Sequence, residues 1–494
     1  MTRDISLKRI GGGARFDLLL AAAILATWVA LIPRWVPDRS GDRGIFISVA
    51  ARLLAGDRLY SDVWDNKEPL FYYFVALQVA LGRWSEVAAD ALLTATAAFA
   101  TFRIAMKLAS KWTAVATSFI AVPIILTGGF YSPGTTELPG VVVALVAIAA
   151  SALEQPVWAG ACIGLLVFTK LIYVPVALMG VSCFLIMDRR FFDSIFLVLG
   201  AFIAMALMVG VLYVRDELSS FIETIWYNVV YSQGALIGYK TGLASLVAHI
   251  RRIGGWSFLA ETVPMLLGIM LGWTALSQKF GRYQNKFVIR AASLAAFVAS
   301  LVVLSITGLW THHCEIMCIS SVMIVLSLIS LLDASVEIAR VRTLGLIFLI
   351  GIMMSGDPAS TINMYVKATR FFREAYAELN ELSPETRRLL AIASSGAYAR
   401  FGQNEDHGHA VGLSSWKLAC PIFLQYVYYS TTLLNKAFEC ASTAQFLIIS
   451  EGIRPDPDWP LWNEFVDRVE HLLVEDYACD ASSGLRVCRR RPGE

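Results

Sequence analysis

The feature that most limits what this chain can fold into is a set of apolar runs close to the length of a membrane span. Residues 195–214 (IFLVLGAFIAMALMVGVLYV) and 291–309 (AASLAAFVASLVVLSITGL) carry no charged side chain, and 141–153 (VVVALVAIAASAL) is as apolar though shorter. A helix rises 1.5 Å per residue, so about 20 such residues cross a hydrocarbon core of about 30 Å. The whole chain of 494 residues is 57% hydrophobic and 16% charged, against roughly 45–50% and about 25% in soluble proteins. A purely soluble enzyme, a disordered chain and a disulfide-rich secreted module are excluded. So is a nucleic-acid binder, because the formal net charge is only +2 and no basic tract carries interleaved aromatics.

Hydropathy predicts a polytopic α-helical membrane protein with about eleven spans: 17–32, 87–108, 113–129, 138–153, 157–170, 172–187, 194–214, 257–276, 288–309, 316–332 and 342–355. Lys and Arg accumulate on cytoplasmic loops. Arg3, Lys8, Arg9 and Arg15 outweigh Asp4 and Asp17, which puts the N-terminus inside. Alternation then puts Arg103, Lys107 and Lys111 inside, with Arg189 and Arg190, Lys279 to Arg290, and Arg340 and Arg342. The segment 69–82 (PLFYYFVALQVALG) is apolar but too short to span, and counting it as a span would invert everything after it. It reads as an interfacial or re-entrant helix. The first run, 17–32, lacks a small-x-small cleavage site and reads as an anchor rather than a signal peptide.

This topology leaves regions 33–86, 129–137, 215–256 and 310–315 outside, with the membrane part covering 1–355. Composition shifts at Gly356-Asp357-Pro358, and 356–494 reads as a small external α/β domain. Runs at 389–394 and 445–450 look like strands, with 485–489 as an edge strand. Cys420, Cys440, Cys479 and Cys488 lie in this tail. In an oxidising compartment they suggest two disulfides, for which sequence allows three connectivities. Cys479 with Cys488 closes a short hairpin-like loop and leaves Cys420 with Cys440; four reduced core thiols are the alternative.

Candidate chemistry concentrates in the first external region, where Asp38, Arg39, Asp42, Arg43, Arg52, Asp57, Arg58, Asp62, Asp65, Lys67 and Glu68 crowd together. Its centre, 44–56, has Ile45, Val49 and Leu53 at helical spacing, as in a helix lying on a membrane surface. Asp42 stands just before that helix. Most of the other charges fit a solvated loop. The region 215–256 holds Trp226, Tyr227, Tyr231 and Tyr239, suited to stacking on sugars or to an interfacial aromatic belt. Its Arg251-Arg252 pair is a candidate phosphate contact. Residues 310–318 (WTHHCEIMC) offer His312, His313, Cys314, Glu315 and Cys318 but match no standard zinc spacing. His407 and His409 fall in a polar, loop-like stretch.

An Asp-Arg-Gly after the first span, a surface helix ending in Gly56-Asp57-x-x-Tyr60, and Asp65-Asn66-Lys67-Glu68-Pro69-Leu70 opening a short aromatic-apolar helix follow one another here. This arrangement resembles the first external loop of GT-C-type membrane glycosyltransferases, the relatives of aminoarabinose transferase and the protein O-mannosyltransferases. The resemblance extends in organisation over 17–315 and is motif-specific in 38–75. It implies a polyprenyl-phosphate-linked sugar as donor and a GT-C-like membrane fold. It also implies Asp42 as catalytic base and Lys67 as a phosphate contact, with Asp65 and Tyr60 of the same loop as substrate-binding candidates. Glu137 in the second external loop would orient the acceptor or hold a cation. Lys170 matches a lysine the family often carries and is a further candidate contact for the donor phosphate, and His313 would face the cavity from a span's external end. No cofactor is required, and a divalent cation is left open. Where the family usually shows Asp-Glu this chain has Asp42-Arg43, so a second carboxylate is missing there.

The resulting expectation is an inverting glycosyltransferase in a bacterial inner or plasma membrane, with its catalytic face and tail outside. It would pass a sugar to an envelope glycan, lipid or protein. Transfer needs a base for the acceptor hydroxyl and positive charge near the departing phosphate. The rival is a non-catalytic transporter or flippase of lipid-linked sugars. Such a protein would be expected to show internal repeats and ionisable residues at mid-membrane, whereas here the candidate acids lie in loops on one face. A catalytically dead scaffold is the third option.

Overall fold

The computed structural model describes residues 5–36, 42–82, 84–107, 109–127, 131, 133–187, 189–238, 293–300, 315–332, 366, 393, 396, 398–401, 419, 431–450, 460–482 and 485–491. Up to residue 332 these form helices: α1 (Ile5–Leu31), α2 (Asp42–Leu54), α3 (Pro69–Leu81), α4 (Trp84–Ala105), α5 (Lys111–Ala116), α6 (Val122–Leu126), α7 (Glu137–Ala152), α8 (Pro156–Thr169), α9 (Val174–Met187), α10 (Asp193–Val214), α11 (Leu218–Gly238) and α12 (Met317–Leu332). Asp17–Trp35, Trp84–Ala105 and Asp193–Val214 are long and apolar enough to cross a membrane, and shorter apolar helices accompany them. The spans expected at 257–276 and 342–355 lie outside the described residues, and of 288–309 only 293–300 is described, as helix.

At the centre stands α7, with 14 of its 16 residues buried. It packs against α4, α8 and α9. Helix α10 is the opposite case. Its buried residues are Gly200, Ala204, Met208 and Leu212, one stripe at four-residue spacing. The rest of its surface exposes Phe196, Leu199, Phe202 and Leu207, as suits a helix facing lipid. The stripe meets α8 at very close range. A Cβ on Gly160 would lie 1.9 Å from the Leu197 carbonyl oxygen, and one on Gly200 2.0 Å from that of Val157. Only glycine permits this approach, the small-residue packing that membrane helices use.

Between α5 and α6 the expected span 113–129 winds through a π turn, Thr117–Ala121. The indole of Trp28 on α1 donates to the Phe119 carbonyl in that turn at 3.1 Å.

The short segment 69–82 forms α3, whose Phe71, Tyr72, Val75, Ala76 and Gln78 are buried. It packs on α2 and also meets α4 and α8. The region 215–256 was expected to be a loop, yet its described part is the 21-residue helix α11. Its mixture of aromatic and polar residues masks a helical periodicity.

The tail contains β1 (Tyr398–Phe401), α13 (Thr431–Thr443), β2 (Phe446–Ser450), α14 (Pro460–Asp476), β3 (Tyr477–Ser482) and β4 (Leu485–Arg490). The sheet order is β1-β2-β4-β3, parallel between β1 and β2 and antiparallel elsewhere. Two sequence expectations need correction. Ala393, within the strand expected at 389–394, is helical, and the first strand is Tyr398–Phe401. The strand at 485–489 is not an edge, because β4 pairs on both sides. The edges of the described sheet are β1 and β3, and the small and polar residues of β3 (YACDAS) show no clear alternation. Cys479 and Cys488 face each other across β3 and β4 and are bonded, with Cα atoms 3.9 Å apart. Cys440 is also disulfide-bonded, while Cys420 lies outside the described residues.

Helix α13 is tied to α11. The Lys436 ammonium lies 2.7 Å from the Glu223 carboxylate and 5.8 Å from the Tyr227 ring centroid. That ion pair holds the Glu223 carboxyl below its ordinary value.

Candidate functional site

Asp42 is the first residue of α2; its side chain is outside the described residues. Arg43 follows, and its guanidinium is buried at 2% exposure. Nε and Nη2 both donate to Glu86 on α4, at 3.2 and 3.0 Å. Nη2 also donates to Gln78 on α3 at 2.8 Å, and Nη1 to the Gly134 carbonyl at 3.0 Å. Gly134 has φ +72°, and a Cβ there would lie 2.8 Å from Arg43 Nε. Only glycine suits this position, both for its backbone and for the guanidinium against it. On its other side the Gly134 N–H donates to Asp90 of α4 at 2.9 Å, beside the Tyr131 hydroxyl at 2.6 Å. Burial, and then the Asp90 carboxylate, push the Tyr131 phenol well above its ordinary pKa.

The same loop runs on to Thr136 and Glu137. The Glu137 carboxylate meets the Lys170 ammonium at 2.9 Å, both side chains almost fully buried, and Lys170 also donates to the Thr136 hydroxyl at 2.7 Å. Lys170 is thus held by partners within the protein, although the sequence singled it out as a phosphate contact. Glu315 stands two residues ahead of α12, is 1% exposed, and has no hydrogen-bond partner on either oxygen among the described residues. Burial, then the nearby carboxylates of Glu137 and Asp90, raise its pKa well above the ordinary glutamate value, with Lys170 opposing.

From Lys170 the bonding continues into the first external region. The Leu171 N–H donates to Glu68 at 3.0 Å. Next to Glu68, the Lys67 carbonyl accepts from the Tyr60 hydroxyl at 2.7 Å, and Asn228 of α11 donates to the Asn66 carbonyl at 2.8 Å. Asp65 is fully buried and accepts from the Asn66 N–H at 2.5 Å, with the Tyr72 hydroxyl as its second donor. Tyr60 and Asp65 therefore shape the turn that presents Lys67. Burial raises the Tyr60 phenol well above its ordinary pKa, so it stays a donor. Tyr60 adopts φ +68°, a backbone conformation uncommon for a bulky residue and often found near functional sites.

Glu217 closes the region from the α10–α11 corner. It is fully buried and accepts from the Leu59 N–H at 3.0 Å and from Arg215 at 2.9 Å, with the Tyr73 hydroxyl also donating.

The structure thus brings together Tyr60, Asp65, Lys67, Glu137 and Lys170, with the start of α2 joined to them through Arg43. Tyr231 lies on α11 with its side chain outside the described residues; Arg251 and His313 are outside them altogether. Sequence reasoning passed over Gln78, Glu86, Asp90 and Glu217. The available signal was an acid, Asp90, inside a predicted span, where ionisable residues are rare and purposeful. Among the described residues no group of three or more His, Cys, Asp or Glu side chains is arranged to hold a metal ion. In particular Glu137 is engaged by Lys170, and Asp90 by Tyr131 and Gly134.

Residues 68–305 match the family model of glycosyltransferase family 87. No curated protein matches this sequence. Among solved structures, ArnT from Cupriavidus metallidurans bound to undecaprenyl phosphate is similar in fold. Its TM-score is 0.56 at 14% identity, over 96% of this chain and 97% of that one. The same protein in the apo state gives 0.56 at 13% identity, over 97% and 98%. Archaeal oligosaccharyltransferase AglB from Archaeoglobus fulgidus, in complex with an inhibitory peptide and a dolichol-phosphate, gives 0.47 at 11% identity, over 96% and 74%. The resemblance to GT-C-type membrane glycosyltransferases read from residues 38–75 therefore holds. The chain shares the fold of these proteins; its described residues are mostly helical, and three of their helices are long and apolar enough to cross a membrane.

Proposed function

We propose that this protein is an inverting glycosyltransferase that moves a sugar from a polyprenyl phosphate to an envelope glycan, lipid or protein on the external face of a bacterial inner membrane. The observation that carries this reading is a run of polar bonds, buried from Arg43 to Lys170 and more exposed beyond it. It leads from Arg43 through Gly134–Glu137 to Lys170–Leu171 and on to Glu68 and Lys67. This run joins the start of α2, the loop before α7, the end of α8 and the turn before α3, four segments that a lipid-linked donor and its acceptor would meet. The similarity in fold to ArnT bound to undecaprenyl phosphate supports a polyprenyl phosphate as the lipid.

In the proposed step, the acceptor hydroxyl oxygen attacks the anomeric carbon and its proton passes to Asp42. The bond from that carbon to the phosphate oxygen breaks, and the lipid phosphate leaves with the electron pair. A single displacement of this kind inverts the anomeric centre. Lys67 meets the phosphate as a compact point charge, and Arg251 is the second candidate for that anion. Lys170 contributes as the partner of Glu137, fixing the loop beside the acceptor. Tyr231 and His313 are the further substrate contacts, and Glu315 offers the acceptor an unpartnered carboxyl. Residues 1–355 form the catalytic membrane domain and 356–494 an external domain docked through α13.

Two measurements test this. Mass spectrometry of lipids co-purified with the protein should find a polyprenyl-phosphate sugar. Asp42→Asn should keep donor binding while transfer falls about 10²–10⁴-fold, the usual contribution of a general base. Near-wild-type transfer by that variant would reject Asp42 as the base.

A further inference from the structure

We infer that Arg43 is a positioning residue for the transfer reaction, acting through its neighbour Asp42; the inference rests on Asp42 being the base. The argument begins with what Arg43 is unable to do. Its guanidinium is 2% exposed and already paired with Glu86, so it is not available to a departing phosphate. Instead it spends its donors on three separate segments: Gln78 of α3, Glu86 of α4 and Gly134 of the second external loop. A planar fork with several fixed donors can do this, whereas a lysine point charge cannot.

The consequence falls on the backbone at the start of α2. Residue 42 is one peptide from Arg43, so its Cα has no freedom to shift against α3, α4 or the loop without breaking these bonds. The loop is fixed in return. Gly134 is gripped between Arg43 and Asp90, and three residues later the chain reaches Glu137 and its bond to Lys170. Arg43 therefore sets the separation between the base on one external segment and the Glu137–Lys170 pair on another. Proton abstraction is sensitive to such placement, and a shift of about 1 Å is enough to cost about 10²-fold in rate.

A purely structural arginine and a positioning one are separated by a double-mutant cycle. Binding is read with undecaprenyl phosphate. Transfer is read at saturation, with radiolabelled polyprenyl-phosphate sugars extracted from host membranes as donor and host envelope fragments as acceptor. Arg43→Gln should bind undecaprenyl phosphate as the unaltered protein does, yet transfer about 10–100-fold more slowly. Asp42→Asn/Arg43→Gln should be no slower than Asp42→Asn alone, because a residue that acts only through the base has nothing left to act on. Losses that multiply, or a loss of undecaprenyl phosphate affinity, would overturn the inference while leaving Asp42 in place. Unimpaired transfer by Asp42→Asn would instead remove the base and the inference with it. Should Arg43→Gln not fold, Gly134→Ala takes its place in the same cycle. It keeps every charge but forces the guanidinium away from the loop, and the same two outcomes decide.

Discussion

The seam between α8 and α10 and the node around Arg43 hold helices together in opposite ways. At the seam, backbones touch through Gly160, Gly164 and Gly200, and the buried residues of α10 carry no polar side chain. At the node, the parts of α2, α3 and α4 that meet are joined by buried charges and an amide. Lipid tails are as apolar as leucine, so inside the bilayer burial of side chains draws helices together only weakly and close fit has to do it. At the node the charged side chains are buried, and a set of mutually satisfied charges can hold one geometry there. The seam therefore fixes two helices by fit, and the node fixes three segments by charge.

The comparison breaks most severely at the node. Glu86→Leu leaves the Arg43 charge buried with only neutral acceptors, and such half-removed pairs cost about 3–5 kcal/mol. Unfolding followed by detergent titration should show that loss; a stability within about 1 kcal/mol of wild type would mean that the pair holds little. Next comes the seam. Gly160→Ala puts a methyl group against a backbone oxygen that cannot rotate away, and overpacking of this kind costs about 1–3 kcal/mol. The same titration should rank it below Glu86→Leu, and the reverse order would show that fit outweighs charge even at the external end.

Measured in acid, the smallest effect should be at Glu315. Its folded pKa is raised, so the native state holds a proton that the unfolded chain gives up. That costs nothing below the ordinary glutamate pKa, and the penalty then grows with pH until the folded value is reached, by at most about 1.4 kcal/mol per pH unit. Glu315→Gln should match wild type in acid and exceed it toward alkaline pH. Parallel stability profiles for the two proteins would remove the reading of Glu315 as a neutral acid.

What the sequence made legible follows the same division. The span expected at 194–214 appears as Asp193–Val214, because an apolar run bounded by charges has one outcome in a bilayer. Where spans were expected at 138–153 and 157–170 stand the apolar helices α7 and α8, both shorter than the three that are long enough to cross a membrane. The node was not legible. Arg43 read only as a departure from the family's acid, since its partners Gln78, Glu86 and Gly134 lie 35, 43 and 91 residues away. Lys170 and Glu137 were each chosen singly, and nothing in their local patterns marks them as partners. Helix α11 was hidden by a composition equally suited to an interfacial loop. Strand β3 was hidden because it gains its place from pairing with β4 rather than from its own alternation.

The π turn at Thr117–Ala121 has a consequence for ancestry. Such a turn takes up one residue more than an α-helical turn, so it is what an α-helix becomes when a single residue is inserted and the flanks keep their places. Here the Trp28 indole covers the Phe119 carbonyl within that turn. The insertion and the indole therefore form one heritable unit. Without the extra residue that carbonyl would accept an ordinary bond from four residues on, and the indole at position 28 would have to find another acceptor. An alignment that closes the gap elsewhere would rotate Val122–Leu126 by about 100° and set the wrong face of α6 against its neighbours.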